Sequence, residues 1–195
     1  YLWGSGVYPT ELEALRHALF NTVSIATTTG YASVDYALWP MFAPLWMLFL
    51  SSFATSAGST GGGIKMIRAL LLYKQLYREL IRAMHPAAVY NVRIRGEVMP
   101  QNVLFAALSF GFVYMVSIVS LTLILSFSGL DVISAFTAVV ASINNTGPGL
   151  GVVGPSTTYE VLTDFQTWVC TFAMLLGRLE LFTLLVVLTP AFWRK

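Results

Sequence analysis

Charge is what this chain has least of. Of its 195 residues 10% are Asp, Glu, Lys or Arg, against 56% hydrophobic, and the mean hydropathy is +0.72. A soluble domain carries roughly a quarter charged residues, so this composition belongs in a bilayer. Cysteine is nearly absent as well. Cys170 alone, set in an apolar run, excludes an internal disulfide or a thiolate metal cluster and is expected to pack. The two histidines, His17 and His85, lie far apart in the topology, which argues against a histidine metal site. No signal-peptide pattern is present either. The chain opens Tyr1-Leu2-Trp3-Gly4, without an initiating Met or a basic stretch, and is expected to begin within a longer protein.

What the sequence does have is a short polar run that occurs twice. It reads Ala26-Thr27-Thr28-Thr29-Gly30-Tyr31 and then Ile143-Asn144-Asn145-Thr146-Gly147-Pro148. Small polar residues ending in Thr-Gly leave carbonyls and hydroxyls free to replace a cation's hydration shell, and the glycine permits backbone angles other residues avoid. That is the chemistry of an ion filter, with Thr27, Thr28, Thr29, Gly30, Asn144, Asn145, Thr146 and Gly147 as its candidate residues.

Each run ends a helix too short to cross a membrane. Thr10 and Glu13 have the spacing of a capping box, and the helix they start runs to about Ala26. At 1.5 Å per residue it is about 24 Å long, and Arg16, His17 and Asn21 sit in its middle. It reads as a re-entrant helix whose negative C-terminal end faces the Thr-Gly run and favours a cation there. Before the second run, Ser128 and Asp131 repeat the capping spacing ahead of an apolar helix from about Asp131 to Ile143. Thr146-Gly147 follows Thr29-Gly30 by 117 positions, and Phe172-Ala173 with Gly177 follows Phe53-Ala54 with Gly58 by 119. These offsets define an internal repeat. The competing reading is of ordinary polar turns between membrane helices. Irregular backbone inside a bilayer is tolerated only where it lines a cavity or is buried in protein, which favours the filter.

Long apolar segments run from Trp39 to Ala57, from about Val103 to Phe127 and from about Phe165 to Leu188, each near the ~20 residues that span a bilayer. Three crossings and two re-entrant loops are expected. Lys65, Arg68, Lys74, Arg78, Arg82, Arg93 and Arg95 lie between the first two crossings, facing only Glu79 and Glu97, so residues 64–98 are expected on the cytoplasmic side. The filter runs then lie outside and Arg194-Lys195 inside. From Ile64 to Met84 apolar and basic residues alternate at helical spacing, an amphipathic helix that either lies along the headgroups or docks a cytosolic partner.

Gly58-Ser59-Thr60-Gly61-Gly62-Gly63-Ile64-Lys65 is not a phosphate loop, because Ile64 separates the last glycine from Lys65 and Met66 stands where Ser or Thr should hold magnesium. It reads as a break within a membrane helix, since each interior glycine costs about 1 kcal/mol, or as a loop closing that helix at the membrane boundary. Arg178 falls near the middle of the last crossing, where a charge costs at least ~2.5 kcal/mol, so it faces the interior. Glu180, two positions on, points elsewhere. Arg178 is then either tied to backbone carbonyls or a positive charge beside an ion path. Asn144-Asn145-Thr146 matches a glycosylation sequon, but a glycan cannot attach inside a filter.

The Thr-Thr-Thr-Gly-Tyr run, Asn-Asn-Thr-Gly-Pro-Gly, Ala57 to Gly63 and Gly177-Arg178-Leu179-Glu180 together resemble the pore-forming subunit of the Trk/Ktr/HKT superfamily of potassium transporters, closest to its Trk-type (TrkH-like) branch. In order and spacing these motifs cover nearly the whole chain. The family repeats helix, pore loop and helix four times. This chain holds two loops and resembles the second half, so the missing N-terminal half is an expected partner. The resemblance implies an all-α membrane protein built like potassium channels, divided here into 1–96 (a repeat lacking its first helix) and 97–195 (a complete repeat). It implies K+ at Thr28, Thr29, Gly30, Asn145, Thr146 and Gly147, with Gly30 and Gly147 the filter glycines. It implies an obstructing gate at Gly58, Gly61, Gly62 and Gly63 with Arg178 beside it. It also implies a homodimer in the inner membrane regulated by a cytosolic nucleotide-binding ring, with lipid around it, no organic cofactor and no nucleic acid. The alternative is a non-conducting membrane scaffold anchoring a soluble partner, which has no need of two polar filters. An intramembrane enzyme is disfavoured, because no His, Lys or carboxylate is placed nearby to activate Thr28 or Ser59.

Overall fold

The computed structural model describes the chain except residues 57, 60, 88, 179–185, 188, 194 and 195. Helix α1, Glu11–Ala26, starts where the Thr10 hydroxyl accepts the Glu13 N–H at 3.3 Å, with Glu11 and Glu13 at its positive end. Helix α2, Phe42–Phe53, packs against it. Helix α3, Met66–Met84, follows an irregular stretch. A hairpin pairs β1, Arg93–Ile94, with β2, Glu97–Val98, and the expected division at 96/97 falls in its turn. Then come α4, Gln101–Phe127, α5, Val132–Asn144, and α6, Asp164–Arg178.

Helix α5 is the core. Its Ala135, Ala138, Val139, Ala141 and Ile143 are fully buried or nearly so between α4, α6 and α2. Alanine-rich surfaces let helix backbones approach closely, which is how helices pack where lipid offers no hydrophobic drive. Helix α4 meets this core with a stripe at steps of three and four: Leu104, Ala107, Phe110, Tyr114, Ile118, Leu121 and Leu125. Its other faces expose Phe105, Phe112, Met115, Val119 and Leu123. A helix apolar all round, with half its surface bare, is one that meets lipid.

The expected length of the Trp39 segment and the expected cap of α5 change. Among the described residues only α4 is long and apolar enough to cross a membrane. The Trp39 to Ala57 segment is helical for 12 residues, about 18 Å, because backbone carbonyls at its end are taken by the glycine-rich stretch. The last segment is helical to Arg178, and the remainder expected of it, including Glu180, lies largely outside the described residues, as do Arg194 and Lys195. The cap of α5 is Asp131 itself, accepting the Ser134 N–H at 3.0 Å, while Ser128 ends α4 with its hydroxyl on the Leu125 carbonyl at 2.6 Å. Helix α3 is amphipathic as expected, yet Leu71 and Gln75 are its buried residues, and Met66, Leu70, Tyr73, Tyr77, Leu80 and Met84 are exposed at steps of four and three. Packing on α4 decides this, with Arg68 lying over the Phe110 ring at 4.2 Å.

Candidate ion pathway

The first polar loop is held by its own helix. The Thr29 and Gly30 N–H groups donate to the Ser24 carbonyl at 2.8 and 3.3 Å, and the Ser24 hydroxyl donates to the Tyr31 carbonyl at 2.6 Å. Buried Asn21 receives the Ser33 N–H at 3.1 Å and donates to the Ser33 hydroxyl at 3.0 Å, which also meets His17 Nδ1 at 3.0 Å. The Thr27 hydroxyl donates to the Val23 carbonyl at 2.7 Å and lies 2.9 Å from that of Thr29. Within this frame Thr28 has φ 57° and Gly30 φ 82°. A β-branched residue in the left-handed region costs about 1–3 kcal/mol, so Thr28 is strained and is held there by the bonds around it.

The second loop repeats this conformation. Asn145 has φ 54° and Gly147 φ 103°, each 117 positions after its counterpart, and the Thr146 N–H donates to the Ala141 carbonyl at 2.9 Å as Thr29 does to Ser24. Its return path is strapped to α5: the Leu150 and Val152 N–H groups donate to the hydroxyls of Thr137 and Ser134, both at 2.9 Å. The two loops meet. A methyl group on Gly30 would overlap the Thr146 carbonyl and stand 3.3 Å from Pro148.

Against these loops lies the glycine-rich stretch. Gly61, Gly62, Gly63 and Ile64 are buried, whereas Gly58 is exposed with open space around it. A methyl on Gly61 would stand 2.9 Å from the Thr28 hydroxyl. The Gly62 N–H donates to the Asn144 carbonyl at 3.2 Å, and the Thr55 hydroxyl to the Gly62 carbonyl at 3.0 Å. Ile64 and Met66 N–H groups donate to the Ser52 and Thr55 carbonyls at 2.8 and 2.9 Å. The stretch from Gly61 to Ile64 is therefore a packed part of the interior, bonded to Ser52 and Thr55 at the end of α2 and to Asn144 at the end of α5.

Asn144, the last residue of α5, is fully buried and engaged throughout. Its amide donates to the Ser51 and Ser52 hydroxyls at 2.9 and 3.0 Å and accepts from Tyr114 OH at 2.9 Å. Tyr114 also reaches Ser52 at 3.2 Å. Ser51, Ser52, Tyr114, Asn21 and Ser24 were not legible as site residues. Their only signal is polarity inside apolar helices. The Asn145 amide donates to the Met174 carbonyl on α6 at 3.2 Å, and a methyl on Gly177 would overlap the Ile143 carbonyl. Arg178 follows, exposed, in the last described turn of α6. The structure thus brings together both polar loops, Gly61 to Gly63 and the α6 turn that carries Arg178, and leaves Gly58 to one side.

Two half-length helices ending on loops of one conformation, beside a long helix with a bare apolar surface, make this an all-α membrane protein. The chain matches the family of cation transport proteins TrkH over residues 8–195. The Trk system potassium uptake protein TrkH of Vibrio parahaemolyticus is 47% identical over 188 residues, 96% of this chain and 38% of that protein. That of Escherichia coli K12 is 45% identical over 195 residues, 100% of this chain and 40% of that protein. The crystal structure of the potassium transporter TrkH from Vibrio parahaemolyticus superposes with a TM-score of 0.91 at 46% identity, covering 99% of this chain and 41% of that one. This chain belongs to the TrkH family. It spans about two fifths of the length of these relatives.

Proposed function

We propose that the chain supplies two of the filter loops of a potassium-uptake subunit. K+ sheds its water against backbone carbonyls of Thr28, Thr29 and Gly30 from one loop and Asn145, Thr146 and Gly147 from the other. One observation carries this reading: two loops far apart in sequence share left-handed backbone at equivalent positions and lie against each other at Gly30 and Thr146. Strain repeated at matching positions and held by dedicated bonds marks a functional segment. The names of the relatives give potassium as the cargo. Thr27 and Asn144, whose side chains are committed to α1 and to the Ser51, Ser52 and Tyr114 cluster, brace the filter rather than ligate.

Gly61, Gly62 and Gly63 form the gate beneath the filter, Gly58 supplies slack at its edge, and Arg178 restrains cation flow. The rest of the subunit contributes the remaining loops. The whole protein works as a homodimer in the inner membrane, loops outward, with a cytosolic nucleotide-binding ring meeting the basic stretch from Lys65 to Arg95. The gate is tested by K+ flux into liposomes holding the complete subunit, native against Arg178→Ala. Faster flux in the variant is the expected result, and an unchanged rate removes Arg178 as a barrier.

A further inference from the structure

The two loops are not closed in the same way. In the first, the Ser24 hydroxyl donates to the Tyr31 carbonyl, tying the far side of Gly30 to α1. The position 117 further on is Ala141, fully buried and without a hydroxyl. Tyr31 corresponds to Pro148, whose carbonyl has no hydroxyl at position 141 to meet. The second loop has therefore lost the side-chain tie that the first one uses. Gly147 at its tip has φ 103°, and nothing lies within 4 Å of where a side chain would be. A glycine so placed is held by its peptide groups alone.

A hydroxyl reaches this loop from elsewhere. Tyr159 OH donates to the Gly147 carbonyl at 2.9 Å. Tyr159 opens the single 3-10 turn Tyr159–Val161, which is closed by the Leu162 N–H on the Tyr159 carbonyl at 3.1 Å, and buried Leu162 anchors that turn in the core. The tyrosine itself packs on the same core. Its hydroxyl thus comes from a fixed base outside the loop.

The geometry points to Tyr159 as a positioning residue of the second filter loop, its hydroxyl tying that loop at the Gly147 carbonyl, one residue before the position that matches the Ser24 tie on Tyr31 in the first repeat. This rests on the proposed pathway. Discrimination between K+ and Na+ depends on where carbonyls are held, so both hydroxyls act on selectivity. One neutral hydrogen bond favours the held geometry by roughly fivefold.

The test is the ratio of K+ to Na+ flux through the complete subunit in liposomes for the native protein, Tyr159→Phe and Ser24→Ala, with unfolding midpoints of each. The expected result is K+ flux preserved, a K+ to Na+ ratio lowered about fivefold in both variants, and a Tyr159→Phe midpoint close to native. A native ratio in Tyr159→Phe beside a lowered one in Ser24→Ala overturns the inference and leaves the pathway standing. A lowered ratio in Tyr159→Phe alone overturns the equivalence of the two ties. A native subunit that does not discriminate removes the pathway and the inference with it.

Discussion

Gly30 lies directly against the carbonyl of Thr146, so that a side chain at position 30 and that oxygen would occupy the same space. Gly147, its counterpart in the repeat, has open space in the same direction. The repeat is symmetric in backbone conformation and asymmetric in packing. This separates two costs that usually come together. Gly147→Ala meets only the left-handed backbone, about 1–2 kcal/mol. Gly30→Ala meets that strain and an overlap with backbone that cannot rotate away, roughly 1–3 kcal/mol more. Thermal unfolding in detergent is expected to place Gly30→Ala well below Gly147→Ala.

Gly62 and Gly58 divide the glycine-rich stretch in the same way. A methyl on Gly62 would stand 2.5 Å from the Ile143 carbonyl and 2.8 Å from that of Asn144, both backbone atoms at the end of α5. A methyl on Gly58 meets nothing within 4 Å. Gly58→Ala is expected to change stability by less than about 0.5 kcal/mol, and Gly62→Ala to lower it by about 1–3 kcal/mol by pushing the glycine-rich stretch off the end of α5. Cysteine accessibility at Ser59, compared between the two variants, reads that displacement directly.

Asn144 and Tyr114 form the centre of a buried cluster and are expected to be coupled. Asn144→Ala removes the amide shared by the Tyr114, Ser51 and Ser52 hydroxyls, and because Ser51 keeps the Leu48 carbonyl at 2.6 Å and Tyr114 keeps Ser52 at 3.2 Å the expected loss is about 1–3 kcal/mol in all. Tyr114→Phe removes one of these bonds. A double-mutant cycle is expected to give a coupling of about 0.5–3 kcal/mol, and additive losses would mean that the two do not act together.

How much of this was legible follows from how local each relation is. Thr10 and Glu13 are three residues apart, so the start of α1 could be read directly, and the two Thr-Gly runs announced themselves by repetition. Ser128 misled because it stands three before Asp131, where a cap could stand. In the fold it ends α4 and receives Gln166 Nε2 at 2.9 Å from a helix 38 positions on. The end of α2 could not be read from its apolar run, since what stops it is the claim of Ile64 and Met66 on the Ser52 and Thr55 carbonyls. The bracing of Asn144 could not be read for the same reason. Its partners lie 30 to 93 positions away, and nothing in the neighbouring sequence points to them.

Asp131 gives a pH signature. The Ser134 N–H and hydroxyl hold its carboxylate below the ordinary value of about 3.9. A depressed carboxylate stabilises the fold fully above its unfolded value and loses that contribution as the pH falls through the folded one. Asp131→Ala is therefore expected to cost about 1 kcal/mol at neutral pH, and its gap from the native protein to close in acid. A gap that stays constant down to pH values below the folded one would contradict the cap.

The central claim is that Thr-Gly loops which touch at Gly30 discriminate among cations. The most direct measurement is K+ against Na+ flux through the complete subunit in liposomes, native against Gly30→Ser. The account predicts that the variant still folds, with a lower unfolding midpoint, and loses its preference for K+. A folded variant that keeps the native preference would remove Gly30 from the filter and contradict the account.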